Sequence, residues 1–141
     1  MNFIYLKKFF IKIPAKNSMR VLVVDDDTIH LLILRKIFEK YNDSVVVAHN
    51  GVEALEVLEK DDKFNLILTD IMMPFMDGLE LLVNLKKNDR TKRIPIIGFT
   101  AGDVEYYRQT SPIPFDTLVA KPMDFWDLYN LAKSTARYSV N

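Results

Sequence analysis

Five polar side chains, each at the end of a short apolar run, are the residues of this sequence best suited to chemistry. They are Asp25, Asp26, Asp70, Thr100 and Lys121. Three carboxylates that meet in a folded protein repel one another and raise each other's pKa. A hard divalent cation such as Mg²⁺ relieves that repulsion, because it prefers oxygen ligands.

The same set of side chains is suited to phosphoryl transfer. A carboxylate that shares a metal ion is positioned as a nucleophile toward phosphorus. The metal, a lysine ammonium and a threonine hydroxyl can stabilise the oxygen charges that develop during the transfer. The chemistry expected from these residues is therefore the formation and hydrolysis of an aspartyl phosphate.

The elements that must position these residues are short strands that alternate with helical patterns. The apolar runs predict strands over residues 21–24, 45–48, 66–69, 94–99 and 118–120. Five strands alternating with about five helices imply an α/β fold, with a parallel sheet covered on both faces by right-handed crossovers. Ligands bind at the carboxyl edge of such sheets, so the five polar residues are expected to converge there.

Each of these residues also has an ordinary structural interpretation. An aspartate at a strand end is often a turn residue or a helix N-cap, and we assign the cap to Asp27. Capping residues are also predicted at Asn50, Asp77 and Asp124. The occurrence of such residues at four different strand ends nevertheless favours a common functional site.

Composition excludes several other classes of protein. The 141 residues fit one domain, with 49% hydrophobic and 27% charged residues. The absence of cysteine excludes a disulfide scaffold and a zinc site with cysteine ligands. Two histidines, His30 and His49, argue against a metal site built on imidazole. A net charge of zero gives no indication of a nucleic-acid partner.

Residues 1–18 form a basic extension, with four lysines and no acidic residue. The remainder carries 15 basic and 19 acidic residues, so the net charge of zero is the sum of +4 and −4. The apolar runs within residues 1–18 are too short for a signal peptide or a membrane span. We predict a disordered or loosely docked tail; the alternatives are a basic membrane-surface anchor and translation from Met19.

Several motifs together resemble the receiver domain of two-component response regulators. The matching stretches are 21–27, 66–74 with 76–78, 95–101 and 120–122. The resemblance covers residues 19–137 and leaves 138–141 as a C-terminal tail. It implies a doubly wound, flavodoxin-like parallel sheet of five strands in the order 2-1-3-4-5, with five helices.

The resemblance also implies a metal site. Asp70 would be the phosphoacceptor, and Asp26 would ligate Mg²⁺ (or Mn²⁺) directly. Asp25 would act as its partner through water, and the backbone carbonyl of Met72 would supply a further ligand. Thr100 would bind a phosphoryl oxygen and Lys121 would pair with the phosphoryl group.

The family also implies the partners. A histidine kinase or a histidine phosphotransfer protein would donate the phosphoryl group. The output would be contact with an unidentified protein target through the fourth helix and fifth strand, since no effector domain follows Asn141. We expect a cytoplasmic protein without a transmembrane segment or a nucleic-acid partner, which catalyses its own phosphorylation and dephosphorylation but turns over no separate substrate.

The sequence departs from the family pattern in three places. Leu118 stands where the family has a switch aromatic. The prolines in 111–114 predict a short or irregular fourth helix. Met72 and Gly102, at positions that tune dephosphorylation in the family, offer no acid or amide to orient a water. We therefore expect a phosphate that is not unusually short-lived.

Tyr106, Tyr107 and Phe115 lie in the same divergent region. Aromatic residues are enriched in the centres of interfaces, but these three could equally pack under the loop. The sequence leaves both interpretations open.

Two other functions are compatible with part of the sequence. Asp25 and Asp27 resemble the nucleophile motif of haloacid dehalogenase-type phosphatases. Three features argue against that class: Ile29 replaces its usual threonine or valine, no acidic pair follows Lys121 after a further strand, and a cap domain is lacking. The class also leaves Asp70 unexplained. A binding module that keeps the fold without being phosphorylated is the weakest alternative, because every expected acidic, threonine and lysine position is filled.

Overall fold

The computed structural model describes residues 3–6, 9–12 and 18–138. The strands in these ranges are β1 (Phe3–Leu6), β2 (Phe9–Lys12), β3 (Arg20–Val24), β4 (Ser44–Ala48), β5 (Leu66–Asp70), β6 (Ile96–Thr100) and β7 (Thr117–Ala120). The helices are α1 (Thr28–Lys40), α2 (Gly51–Lys60), α3 (Gly78–Lys87), α4 (Val104–Thr110) and α5 (Phe125–Thr135).

Strands β3 to β7 form one parallel sheet in the order β4-β3-β5-β6-β7. Numbered from β3 this order is 2-1-3-4-5, so the predicted doubly wound fold is confirmed. The order reverses next to β3, which creates a crevice at the carboxyl edge of the sheet. Asp25, Asp70, Thr100 and Lys121 lie at or directly beyond the ends of four of these strands.

Strands β1 and β2 pair with each other, antiparallel, and among the described strands they form a two-stranded sheet apart from the other five. They belong to the basic extension of the sequence. The boundaries of that extension at residue 18, and of the C-terminal tail at residue 138, stay predictions.

The sheet carries a hydrophobic core on each face, because consecutive strand residues point to opposite sides. On one face α1 and α5 cover the sheet; Val23, Phe38 and Leu128 are buried there. On the other face α2 and α3 cover it; Leu22, Leu58 and Leu81 are buried there. Burial on both faces explains the nearly continuous apolar runs of the central strands.

The fourth strand of the sheet was predicted over residues 94–99, and the structure corrects its bounds to Ile96–Thr100. Pro95 has no N–H to donate to the ladder, although its carbonyl accepts a hydrogen bond from Ile67 N–H at 2.9 Å. Asp70 and Thr100 are thus the last residues of their strands rather than the first residues beyond them.

The predicted helix caps are confirmed. The Asp27 carboxylate accepts hydrogen bonds from the N–H groups of Ile29 and His30, as an N-cap does. Asn50, Asp77 and Asp124 cap α2, α3 and α5 in the same way. The helix predicted to be short, α4, has seven residues and ends at Thr110, with Ser111 as its C-cap.

Within residues 18–138 and the two N-terminal strands, the structure has no helix with the length and apolar character needed to cross a membrane.

Candidate functional site

Asp25 is the fully buried carboxylate of the site. It follows the last residue of β3, and its backbone N–H donates to the carbonyl of Ala48 at 3.1 Å. One carboxylate oxygen accepts the N–H of Asp27 at 3.0 Å. The other lies 2.5 Å from Nδ1 of His30, in the first turn of α1. These contacts hold the carboxylate in one orientation at the sheet edge.

Asp70 lies on the neighbouring strand β5 and is 6% exposed. Lys121 reaches it from the loop after β7, with Nζ 3.3 Å from Oδ2 of Asp70. The same ammonium lies 3.6 Å from Oδ2 of Asp25 and 4.7 Å from the centre of the Phe99 ring. Lys121 therefore bridges the two buried carboxylates, although it lies far from both along the chain.

Asp25, Asp26 and Asp70 form a cluster suited to a divalent cation. Each offers one carboxylate oxygen, and these oxygens lie within 4.8 Å of one another. Asp26 is exposed, whereas the other two are buried. A donor set made only of carboxylate oxygens, open to solvent on one side, fits Mg²⁺, which keeps several of its own waters.

Thr100 is fully buried at the end of β6. Its Oγ1 accepts the N–H of Gly102 at 3.0 Å. Its carbonyl accepts the N–H of Lys121 at 2.7 Å. The threonine thus ties the end of β6 to the residue that contacts Asp70.

Burial raises the pKa of Asp70 to about 6, because the charged form loses solvation; Lys121 opposes this rise and the nearby charge of Asp25 adds to it. The pKa of Asp25 shifts in the opposite direction. Burial acts in the same direction there, but hydrogen bonds from His30 and Asp27 and the charge of Lys121 hold its pKa below the ordinary value. When Asp25 and Asp70 share one proton, that proton therefore resides on Asp70, because the hydrogen-bond donors around Asp25 stabilise its ionised form.

Because its pKa is raised on folding, the ionised Asp70 carboxylate destabilises the folded protein at neutral pH. The folded pKa of about 6 lies above the ordinary 3.8, so ionising Asp70 lowers the free energy of unfolding as pH rises between these values. We expect Asp70→Asn to raise the free energy of unfolding of the metal-free protein by about 1–2 kcal/mol at neutral pH, after allowance for screening by solvent.

Urea unfolding at several pH values would measure this effect. The difference between Asp70→Asn and the wild type should vanish below the ordinary carboxyl pKa of 3.8. Added Mg²⁺ should narrow the difference at neutral pH, because it stabilises only the protein that binds it. A variant less stable than the wild type at neutral pH would contradict the expectation.

Two residues near the site were missed in the sequence. His30 was considered only as a metal ligand, but it contacts Asp25 and packs its ring 5.3 Å from that of Phe99. Its place in the first turn after the Asp27 cap is the sequence feature that indicates a position next to Asp25. Tyr107 lines a cleft of about 490 Å³ together with Asp26 and residues of the loop after β5; no local pattern indicates this.

The residues at the departures from the family pattern also have defined places. Leu118 lies opposite Gly98 of the neighbouring strand. A Cβ on Gly98 would lie 2.9 Å from the Phe115 ring and 3.0 Å from Cδ1 of Leu118. Phe115 therefore packs against the sheet, as one of the two interpretations held. Tyr106, by contrast, is 58% exposed.

An acidic cluster at the carboxyl edge of a 2-1-3-4-5 sheet, with a lysine bridging two carboxylates, defines a class of α/β signalling domain. The family model described as "Response regulator receiver domain" matches residues 21–133. This chain belongs to that family of two-component signalling domains. The assignment gives no support to the haloacid dehalogenase-type alternative.

Individual relatives agree with the assignment. Sporulation initiation phosphotransferase F of Bacillus subtilis is 30% identical over 114 residues, which cover 81% of this chain and 90% of the relative. Several other curated relatives are much longer, since the chain spans only 14–40% of their length.

Solved structures share the fold. Chemotaxis response regulator CheY4 of Vibrio cholerae has a TM-score of 0.77 at 24% identity, over 84% of this chain and 98% of its own. The receiver domain of sensor histidine kinase PA1611 from Pseudomonas aeruginosa has a TM-score of 0.75 at 20% identity, over 84% and 97% of the two chains. That structure has a magnesium ion coordinated in its active-site cleft.

Proposed function

We propose that Asp70 accepts a phosphoryl group and that this modification switches protein–protein binding. The observation that carries the proposal is the convergence of three strand ends: the Asp70 carboxylate lies 3.3 Å from the Lys121 ammonium and close to the carboxylates of Asp25 and Asp26. Lys121 can neutralise charge on a phosphoryl oxygen as it does on Asp70. Thr100, at the end of the neighbouring strand, would bind another phosphoryl oxygen.

A divalent cation, Mg²⁺ or Mn²⁺, would be held by Asp25, Asp26, Asp70 and the backbone carbonyl of Met72. The carboxylate cluster supports this assignment, as does the magnesium in the PA1611 receiver structure. When bound, the cation would offset the negative charge of the carboxylates and of the incoming phosphoryl oxygens.

The phosphoryl donor would be a histidine kinase or a histidine phosphotransfer protein, the partners with which receiver domains interact. In this step a carboxylate oxygen of Asp70 forms a bond to phosphorus while the bond from phosphorus to the donor's histidine nitrogen breaks. The nitrogen keeps that electron pair. Asp70 must be ionised to attack, which its pKa of about 6 allows at neutral pH.

The output would pass through α4 and β7 to an unidentified protein target. A groove of about 290 Å³ lies there, and Tyr107, Phe115 and Leu118 are among its lining residues. The phosphorylated Asp70 side chain would carry about 1.5–2 negative charges in place of the single charge of the carboxylate, together with new acceptor oxygens. Movement of Thr100 and Lys121 toward the new oxygens would alter the packing under this groove. The added charge would in this way favour one of two arrangements of the surface over the other.

Mapping the modified residue tests the proposal. Incubation with a small acyl phosphate and Mg²⁺ should add one phosphoryl group, seen by intact-mass measurement. Reduction with borohydride converts an aspartyl phosphate to homoserine, so peptide sequencing by mass spectrometry should find homoserine at position 70. The modification should not form when the metal is chelated. A chain that stays unmodified, or homoserine at position 25 or 27 instead, would contradict the proposal.

A further inference from the structure

Two arginine side chains without acidic partners lie at the end of the sheet opposite the acidic cluster. Arg93 shortly precedes β6, and Arg137 follows the end of α5. Both are exposed, and neither forms an ion pair with a residue that the structure describes. They line a cleft of about 160 Å³ together with the buried Phe64 and Ile94. Two unpaired positive charges therefore flank a small apolar hollow.

Asn65 holds these parts of the chain together. The N–H of Arg137 donates to the Asn65 carbonyl at 2.9 Å, and the Asn65 side-chain amide donates to the Arg137 carbonyl at 2.9 Å. The side-chain oxygen of Asn65 also accepts the N–H of Arg20, the first residue of β3, at 2.7 Å. We call this end of the sheet the amino edge and define it by Arg20, Asn65, Arg93 and Arg137.

The basic N-terminal extension joins the domain at the amino edge, because it leads through Met19 into β3. Lys12, the last residue of β2, lies six residues before Ser18, so the two are at most about 22 Å apart. Residues paired across β1 and β2 share a face of the hairpin. The pairs Ile4 with Ile11 and Leu6 with Phe9 make one face wholly apolar. An isolated two-stranded hairpin is marginally stable in water, so this face needs a surface to cover it.

We infer that the hairpin and the amino edge together bind the surface of a bilayer that contains anionic lipids. The wholly apolar face of the hairpin enters the interface between headgroups and acyl chains, as the apolar face of a surface-bound helix does. The four lysines of residues 1–18 have no acidic neighbour within that segment. With Arg93 and Arg137 they attract the anionic headgroups. A nucleic acid would match the charge but would leave the apolar face uncovered.

The distribution of acidic residues favours the same orientation. Acidic side chains in the loops near the amino edge are already paired: Asp61 with Arg20, Asp62 with Arg90, Asp89 with Lys92 and Asp116 with Lys86. The acidic cluster lies beyond the other end of five-residue strands, a distance of about 17 Å. This exceeds the Debye length of about 8 Å at physiological ionic strength. The cluster therefore does not repel the bilayer, and it faces away from it.

Sedimentation with lipid vesicles tests the inference on the full chain. Vesicles made from equal parts of phosphatidylcholine and phosphatidylglycerol should bind the protein at least about tenfold more tightly than vesicles of phosphatidylcholine alone. Raising the salt concentration to about 0.5 M should remove most of that difference, because it shortens the Debye length. Equal binding to both kinds of vesicle, or no binding to either, would contradict the inference.

Charge variants test both parts of the binding surface. Each basic residue near an anionic surface contributes about fivefold to binding. The double variants Lys7→Gln/Lys8→Gln and Arg93→Gln/Arg137→Gln should each weaken binding to the anionic vesicles by at least about tenfold. Thr28→Glu is the control, since it adds one negative charge at the opposite edge of the sheet and should change binding by less than about twofold. If the arginine pair has no larger effect than Thr28→Glu, the amino edge does not contact the bilayer.

Two neighbouring phenylalanines test the role of the apolar face. Phe9 is paired with Leu6 on the wholly apolar face, whereas Phe10 is paired with Tyr5 on the other face, which also carries Lys12. Phe9→Ser should weaken vesicle binding by at least about tenfold, as expected when a phenylalanine no longer leaves water. Phe10→Ser should have a smaller effect. Equal losses at the two positions would contradict insertion of one face.

Two further measurements separate the bilayer from other occupants of the same surface. Fluorescence anisotropy with a labelled DNA duplex reports nucleic-acid binding, and analytical ultracentrifugation without vesicles reports self-association. Binding of the duplex, or a dimer that Phe9→Ser dissociates, would overturn the inference if the anionic vesicles are not bound. Thermal unfolding of each variant checks its folding. The vesicle assay needs no phosphoryl donor, so its failure leaves the proposed role of Asp70 unaffected.

Discussion

Replacing Asp70 with alanine is expected to abolish phosphoryl uptake from a small acyl phosphate in the presence of Mg²⁺. Asp70 is the carboxylate that the Lys121 ammonium contacts most closely, at 3.3 Å. In the metal-free protein its pKa is about 6, so Asp70 is largely ionised at neutral pH and available as a nucleophile. Asp25 is ill placed to substitute, because His30 and the N–H of Asp27 already occupy its oxygens.

Loss of folding would not account for this result. The ionised Asp70 carboxylate destabilises the folded protein at neutral pH because it is buried, and the alanine variant lacks this charge. The alanine variant should therefore unfold at no lower a temperature than the wild type. Asp89→Ala is a matched control, since the Asp89 side chain is 91% exposed and pairs with Lys92 on the surface. Asp89→Ala should take up one phosphoryl group at the wild-type rate. Uptake of a phosphoryl group by Asp70→Ala would contradict the assignment of Asp70 as the phosphoacceptor.

Replacing Asp25 with asparagine is expected to weaken Mg²⁺ binding by at least about a hundredfold. Two unit charges about 4 Å apart interact by about 4 kcal/mol at an effective dielectric constant of about 20, and the ion carries two charges. Loss of one buried carboxylate therefore removes several kcal/mol, even after the cost of desolvation. Asparagine keeps the size of the side chain and an oxygen that can accept the N–H of Asp27. Calorimetric titration with Mg²⁺ measures the change directly.

Asp27→Asn is the matched control for Asp25→Asn. The two aspartates are separated by one residue, but the exposed Asp27 carboxylate accepts the N–H groups of Ile29 and His30 and so caps α1. Asparagine is as good an N-cap as aspartate. Asp27→Asn should bind Mg²⁺ with nearly wild-type affinity. An Asp25→Asn variant that binds Mg²⁺ as tightly as Asp27→Asn would show that Asp25 does not belong to the metal site.

Local sequence patterns account for much of the fold. A strand buried on both faces must be apolar throughout, as Val21–Val24 and Leu66–Leu68 are. A helix start leaves N–H groups that a neighbouring side chain must satisfy, as Asp27 and Asp77 do. Both signals depend on residues close together in the chain, and for that reason they could be predicted.

The approximate location of the site could also be predicted. Parallel strands joined by right-handed crossovers bring their carboxyl ends to one edge. Asp25, Asp70, Thr100 and Lys121 had to meet there whatever the details of the loops. Strand bounds were less certain: the start of β6 depends on Pro95, and the pattern of apolar residues alone does not show that effect.

The sequence by itself determined the alternation of strands and helices, the helix caps and the residues gathered at the sheet edge, because each follows from local chemistry or from chain topology. Tertiary structure alone decided which carboxylate holds the proton, since that depends on His30 and Lys121 contacting Asp25 and Asp70 across different elements. It also decided that Tyr107 lies over the turn after β6. Such contacts join residues from separate elements, and only the packing of those elements fixes their distances.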